Sequence, residues 1–250
     1  METSSQIIVL ITGTSKPRRG FETAKNLALH SSKYQVILAS RDSAKGADAV
    51  STLKNQTNIK GTIEAIQLDV TDDATVDAAA AKISSTHGRL DVLVNNAGIM
   101  SKNPVARDNL REVLAVNCVG VMSVTEAFLP LLHKSSAPRL VFVSSSIGSI
   151  THASNPESPY YRAAGEQYRM SKAALNMLMN QYHVKLAKDG FKVFGADPGL
   201  VITNLMDKEN QRARGGVEGD VGGERIATVV RGDRDDDVGK VCGVYGVCPW

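Results

Sequence analysis

Short runs of aliphatic and β-branched residues alternate along the chain with longer stretches whose apolar positions recur every three or four residues. The short runs predict strands over residues 7–11, 35–39, 63–68, 90–94, 140–143, 192–196 and 240–244. The longer ones predict helices over 21–30, 43–54, 73–86, 110–132, 167–188 and 223–230. Several strands read as almost unbroken Val, Ile and Leu instead of alternating with polar residues, the pattern of a strand covered by helices on both faces. The fold class expected is therefore α/β: a single doubly wound parallel sheet with helices on both faces. No Pro/Gly/Ser linker and no repeat divides residues 1–250, which are read as one domain. Two stretches, 150–165 and 207–223, look irregular and follow predicted strands, so they are candidates for the walls of a substrate crevice.

Composition narrows the function classes. A chain 42% hydrophobic and 22% charged is a globular one, and a net charge of +3 spread over scattered basic residues offers no phosphate-tracking surface for nucleic acid. The apolar runs are far shorter than the ~20 residues of a spanning helix, and the start Met1-Glu2-Thr3-Ser4 has no basic leader, so a cytoplasmic protein without membrane contact is expected. Three cysteines without a Cys-x-x-Cys pair suit neither a disulfide framework nor a zinc site, and no metal is expected.

Candidate chemistry gathers at strand ends. After the first strand comes Thr12-Gly13-Thr14-Ser15-Lys16-Pro17-Arg18-Arg19-Gly20, a strand-to-helix turn of the kind that offers backbone N–H groups to a pyrophosphate. The second strand ends at Arg41-Asp42, where a dinucleotide-binding sheet meets the adenosine ribose. Arg41, with Lys16, suits a 2′-phosphate and so NADP(H) over NAD, although Arg41 could equally pair with Asp42 or another surface carboxylate. Tyr168 and Lys172 are one helical turn apart on one face, a spacing that lets a cation favour the phenolate of a tyrosine acid. Ser144-Ser145-Ser146 and Asn95-Asn96-Ala97-Gly98 end two further strands on the same rim.

In order, the glycine turn, Asp69, Asn95-Asn96-Ala97-Gly98, Asn117, Ser144-Ser145, Tyr168-x-x-x-Lys172 and Asp197-Pro198-Gly199 with Thr203 resemble the short-chain dehydrogenase/reductase family over nearly the whole chain. The segments from Tyr168 to Asn176 and from Asp237 to Trp250 look most like its carbonyl-reductase-like or C-factor-like members, many of them fungal. The resemblance implies a Rossmann-like fold and NADP(H)-dependent exchange between a small carbonyl and an alcohol. It implies Tyr168 as general acid/base, Ser145 holding the substrate oxygen, Lys172 binding the nicotinamide ribose and lowering the Tyr168 pKa, and Asn117 holding a proton-relaying water. Ser145 is preferred over its neighbours because the family's working serine stands three residues before a glycine, here Gly148. For the cofactor, the resemblance implies Gly13, Ser15, Lys16, Gly20, Arg41, Asp69, Asn95, Ala97, Gly98, Pro198, Gly199 and Thr203, together with Tyr168 and Lys172. Tyr160, Tyr161, Leu200 and Met206 are candidate walls for a substrate. A homodimer and a homotetramer are both left open.

The chain departs from the family pattern twice. The 23 residues from Ser145 to Tyr168 enlarge a loop that usually is shorter. Pro17-Arg18-Arg19 replaces a glycine and adds a residue before Gly20; proline has no N–H for a phosphate, and arginine side chains add bulk where a backbone must approach closely. The alternative that follows is a non-catalytic relative, a binding or regulatory protein with an impaired cofactor turn.

Overall fold

The computed structural model describes residues 6–14 and 19–250. In chain order these form β1 (Ile7–Thr12), α1 (Arg19–His30), β2 (Tyr34–Ser40), α2 (Ser43–Lys54), β3 (Thr62–Gln67), α3 (Asp73–His87), β4 (Val92–Asn95) and α4 (Ala106–Leu114). A π turn, Ala115–Val119, then leads into α5 (Gly120–Leu132), β5 (Arg139–Val143), α6 (Ile150–Ser154), α7 (Glu166–Leu186) and β6 (Lys192–Ala196). The last part holds α8 (Lys208–Ala213), α9 (Gly219–Arg231), β7 (Val241–Gly243) and β8 (Gly246–Cys248).

The strands make one sheet in the order β3-β2-β1-β4-β5-β6-β7-β8, parallel throughout except for β8, which pairs antiparallel with β7. The apolar runs of the central strands are explained by two cores. Ile8, Leu10, Leu93, Leu140 and Phe142 face the side covered by α3, α5 and α7, with Phe128, Leu175 and Met179. Val9, Ile11, Val92, Val94, Val141 and Phe194 face the side covered by α1, α2 and α9, with Leu27, Leu53 and Ile226. Each buried aliphatic side chain contributes roughly 1.5–3 kcal/mol, so slipping any central strand by one residue would exchange the two cores at great cost. The chain winds outward from β1 through β2 to β3, then restarts at β4 and winds the other way. The carboxyl ends of β1 and β4 therefore flank the switch point, where such a sheet opens its ligand crevice.

Several elements differ from the sequence expectation. The strand expected from residue 90 begins at Val92 because the Asp91 carboxylate replaces a ladder partner, accepting from the Ile8 N–H at 2.9 Å. The helix expected over 110–132 starts at Ala106 and is broken by the π turn. The stretches read as irregular hold α6, α8 and the start of α9, and the sheet ends in an antiparallel strand that was not foreseen. By length and composition Ala106–Leu132 could cross a membrane, but Val113, Val121, Val124, Phe128 and Leu132 are buried inside this molecule, as in a core helix.

Candidate active site

The crevice is shaped first by backbone packing. The buried Thr12 hydroxyl, at the end of β1, accepts from the N–H groups of Asn96 and Ala97, each at 3.0 Å, and Asn96 Nδ2 donates to the Thr12 carbonyl at 2.7 Å. Gly13, in the left-handed region at φ 71°, lies so close to this segment that a Cβ would stand 2.7 Å from Ala97 Cα. Gly13, Ala97 and the neighbouring Gly20, whose added Cβ would meet Asn96 Nδ2, thus bring two strand ends together. Asn95 ties β4 to α5 through Thr125 Oγ1 at 2.9 Å. The side-chain oxygens of Asn95 and Asn96 are buried with no hydrogen-bond partner among the described residues.

On the next strands, α7 presents Tyr168 and Lys172 on one face, both buried. Lys172 Nζ donates to the Val143 carbonyl at 2.8 Å and sits 5.5 Å from the Tyr168 ring centre. Gly148 makes this approach possible: a Cβ there would be 2.7 Å from the Lys172 backbone carbonyl carbon. Gly148→Ala is accordingly expected to cost about 1–3 kcal/mol in a urea titration, as overpacking against backbone does; an unchanged midpoint would contradict this contact. The π turn, an element often found at functional sites, delivers Asn117. Its Oδ1 accepts from Ile99 N at 2.8 Å, and its Nδ2 donates to the Ile99 carbonyl and to Ser171 Oγ, each at 3.0 Å. Both amide hydrogens are thus used within the protein, and Asn117 clamps the loop after β4 to α7. An added Cβ on Gly98 would lie 3.3 Å from Asn117 Oδ1 and 3.7 Å from Lys172 Nζ, so that loop runs directly over the pair.

The three serines after β5 separate cleanly. Ser144 bonds to Asn176, and Ser146 bonds to the Asp197 carboxylate through both its hydroxyl and its N–H, the latter at 2.7 Å. Ser145 is half-buried, and among the described residues its hydroxyl makes no hydrogen bond. It alone is free to meet a ligand.

Arg19, the first residue of α1, reaches into the same place. It lines the cleft with Gly13, Asn96, Gly98, Thr203 and Leu205, and its positive charge bears on the Tyr168 hydroxyl. Burial pushes the Tyr168 hydroxyl above the usual tyrosine range. Burial, reinforced by Arg19, brings Lys172 down to about 7. The charge that opposes the upward shift of Tyr168 is that of Arg19, and Lys172 is brought down first by its own burial. Sequence reasoning placed Arg19 in the phosphate turn and named Asp197 only as part of a motif, and it missed Asn176 and Ser171, whose partners lie far away along the chain.

The remaining site residues are placed as follows. Arg41 is exposed and makes no ion pair among the described residues, since Asp42 caps α2 by accepting from Lys45 N at 3.0 Å. The Asp69 carboxyl is held below the usual range, first by the Thr71 N–H and in part by the Arg41 charge. Pro198 gives its carbonyl to Arg225, Gly199 donates its N–H to Asp197 Oδ1 at 2.8 Å, and buried Thr203 borders the cleft. Leu205, not Met206, lines it. Tyr160 is half-buried and packed on His152 with ring centres 5.0 Å apart, whereas Tyr161 is 53% exposed. Ser15 and Lys16 lie outside the described residues. These groups fit a nicotinamide dinucleotide: at the switch point, close-packed glycines and two buried amide oxygens that could accept and have no partner among the described residues; just after β2, an exposed cation; and beyond it, a Tyr/Lys pair.

A doubly wound sheet with this rim defines a nucleotide-binding α/β protein, and comparison with known proteins specifies which. Residues 7–214 match the family model described as short chain dehydrogenase, so the chain belongs to the short-chain dehydrogenase/reductase family of oxidoreductases, which act on small molecules with a nicotinamide cofactor. It is similar to the short-chain dehydrogenase/reductase tropE of Talaromyces stipitatus, 38% identical over 266 aligned residues covering 96% of each chain. Among solved structures it resembles salutaridine reductase from Papaver somniferum, 29% identical, with a TM-score of 0.71 and 90% and 95% of the two chains covered. It also resembles NADPH-bound carbonyl reductase from chicken fatty liver, 25% identical, with a TM-score of 0.78 and 98% and 100% covered.

Proposed function

We propose that the chain is an NADP(H)-dependent carbonyl reductase or alcohol dehydrogenase in which Tyr168 is the general acid/base. The observation that carries the reading is that Lys172, 5.5 Å from the Tyr168 ring centre, bonds to the Val143 carbonyl at the end of β5, two residues before the Ser145 hydroxyl, which has no hydrogen bond among the described residues. When bound, the cofactor supplies the hydride. Ser145 donates to the carbonyl oxygen and orients it, so that the oxygen lies within reach of the Tyr168 hydroxyl. Tyr168 gives its proton to that oxygen as negative charge develops there, and Lys172 binds the nicotinamide ribose and supports the departing proton. Asn117 fixes the loop above Lys172, and the Tyr160 side of the enlarged loop borders the substrate.

Arg41, exposed just after β2 and without an ion pair among the described residues, supports NADP(H) over NAD, as does the NADPH held by the chicken carbonyl reductase. NADPH is expected to bind more tightly than NADH in a cofactor-fluorescence titration. Arg41→Ala is expected to erase most of the difference, about tenfold or more, because a charge-assisted phosphate contact contributes ~1.5–3 kcal/mol. Equal affinities in the unmutated protein would remove the NADP assignment. The second reading, a non-catalytic relative, draws on the presence of Arg19 inside the cleft. Absence of any NADPH binding would favour it.

A further inference from the structure

The strand that leads to Ser145 and the strand beside it part company at a proline. β5 and β6 pair in parallel as far as the bond from the Ser144 N–H to the Ala196 carbonyl, 2.8 Å long. By the parallel pattern, residue 198 would come next, donating to Ser144 and accepting from Ser146. Residue 198 is Pro198, which has no N–H, and its carbonyl is taken by the Arg225 guanidinium at 2.7 Å. Ser146 is buried, so its N–H needs another acceptor. The Asp197 carboxylate supplies it. Oδ2 accepts from the Ser146 N–H at 2.7 Å and from the Ser146 hydroxyl, while Oδ1 accepts from the Gly199 N–H at 2.8 Å. Asp197 is 4% exposed and makes no ion pair among the described residues, so these donors stand in for the water its carboxylate has lost.

The donors lie on two segments that meet at the reaction. Ser146 follows Ser145, whose other neighbour, Ser144, is bonded to Asn176 on α7, one turn beyond Lys172. Gly199 opens the segment 198–203, and buried Gln211 fixes the far end of it, donating to the Val201 carbonyl and accepting from the Thr203 N–H, each at 3.0 Å. We propose, on the NADP(H) reading above, that Asp197 is a positioning residue: it locks the backbone beside the Ser145 hydroxyl to the segment carrying Thr203, and so sets the carbonyl that Ser145 holds against the cofactor in the cleft that Thr203 lines. Only a carboxylate can serve both segments. It offers two accepting oxygens, whereas the isosteric asparagine offers one and turns its NH2 group towards either the Ser146 or the Gly199 N–H, donor against donor.

The test compares Asp197→Asn, Ser145→Ala and the double variant with the unmutated protein, after circular dichroism has shown each to be folded. Amide hydrogen exchange is followed in the free protein, NADPH affinity by fluorescence, and kcat by NADPH oxidation across a panel of ketones. Asp197→Asn is expected to speed exchange about tenfold in the peptides holding Ser146 and Gly199, as loss of a hydrogen bond to a charged group does. It is expected to lower kcat by roughly 10²-fold, the size of a small misplacement, with NADPH affinity within about threefold. In the Ser145→Ala background the same change is expected to lower kcat by less than about threefold, because no hydroxyl remains to be positioned. Equal losses in the two backgrounds would overturn the proposal, since a purely structural carboxylate acts whether or not Ser145 is present. Unchanged exchange at Gly199 would overturn it as well. Should Asp197→Asn not fold, Ser146→Ala removes one donor and keeps the carboxylate: kcat is expected to fall about threefold or more with Ser145 present and not without it, and equal falls would count against the proposal. Absence of NADPH oxidation by the unmutated protein with every ketone would instead overturn the functional reading.

Discussion

Tyr168→Phe is expected to retain the fold and NADPH binding and to lower turnover of a carbonyl substrate by about 10²–10⁴-fold, the contribution of a positioned general acid. Only the hydroxyl is lost, and the ring keeps its buried place on α7 beside Lys172. The measurement is the rate of NADPH oxidation at saturating cofactor across a panel of ketones, with the affinity for NADPH as control. Turnover that survives the change would move the proton donor to Tyr160, which is half-buried in the enlarged loop. Tyr161, largely in solvent, is poorly placed for the task.

The second large effect concerns stability. Lys172 falls from an ordinary 10.5 to about 7 in the folded protein. The sign follows from linkage: a lysine with a depressed folded pKa contributes nothing adverse above its unfolded value, and stability is lost as pH falls from 10.5 through 7, where the buried ammonium must form. Lys172→Met removes that penalty and also leaves the Val143 carbonyl without its donor, a roughly pH-independent cost. The stability of Lys172→Met relative to the unmutated protein is therefore expected to be about 2–3 kcal/mol more favourable at pH 6 than at pH 9, from the pKa values and 1.36 kcal/mol per unit. Urea titrations at the two pH values test this. An identical difference at both would show that Lys172 is not held near 7.

Much of the sheet was legible because its signal is local. A strand buried on both faces needs apolar residues at every position, and the runs at residues 7–11 and 140–143 could hardly be anything else. The helices were legible to within a few residues for the same reason. The misses lie where the deciding partner is distant or the element is very short. Asp91 ends a strand pattern through a bond to Ile8, β8 has three residues, and the π turn adds a residue to a helix without changing its composition.

At the site, residue types and order along the chain already named Tyr168, Lys172, Asn117 and the serine cluster, since the chemistry they suit depends on side-chain identity and on a one-turn spacing within a single helix. The family pattern picked Ser145 by its place before Gly148, but the physical reason lies in the fold: three adjacent hydroxyls are chemically equal until Asn176 and Asp197, 32 and 51 residues further on from Ser144 and Ser146, claim two of them. The influence of Arg19 is likewise a property of the folded chain. In the sequence it stands in a phosphate turn; in the structure its charge bears on the Tyr168 hydroxyl and on Lys172. Side-chain identity and local periodicity determine which groups a protein can bring to a reaction, whereas burial and long-range proximity, which set pKa values and leave one hydroxyl unpaired, arise only when distant segments pack together.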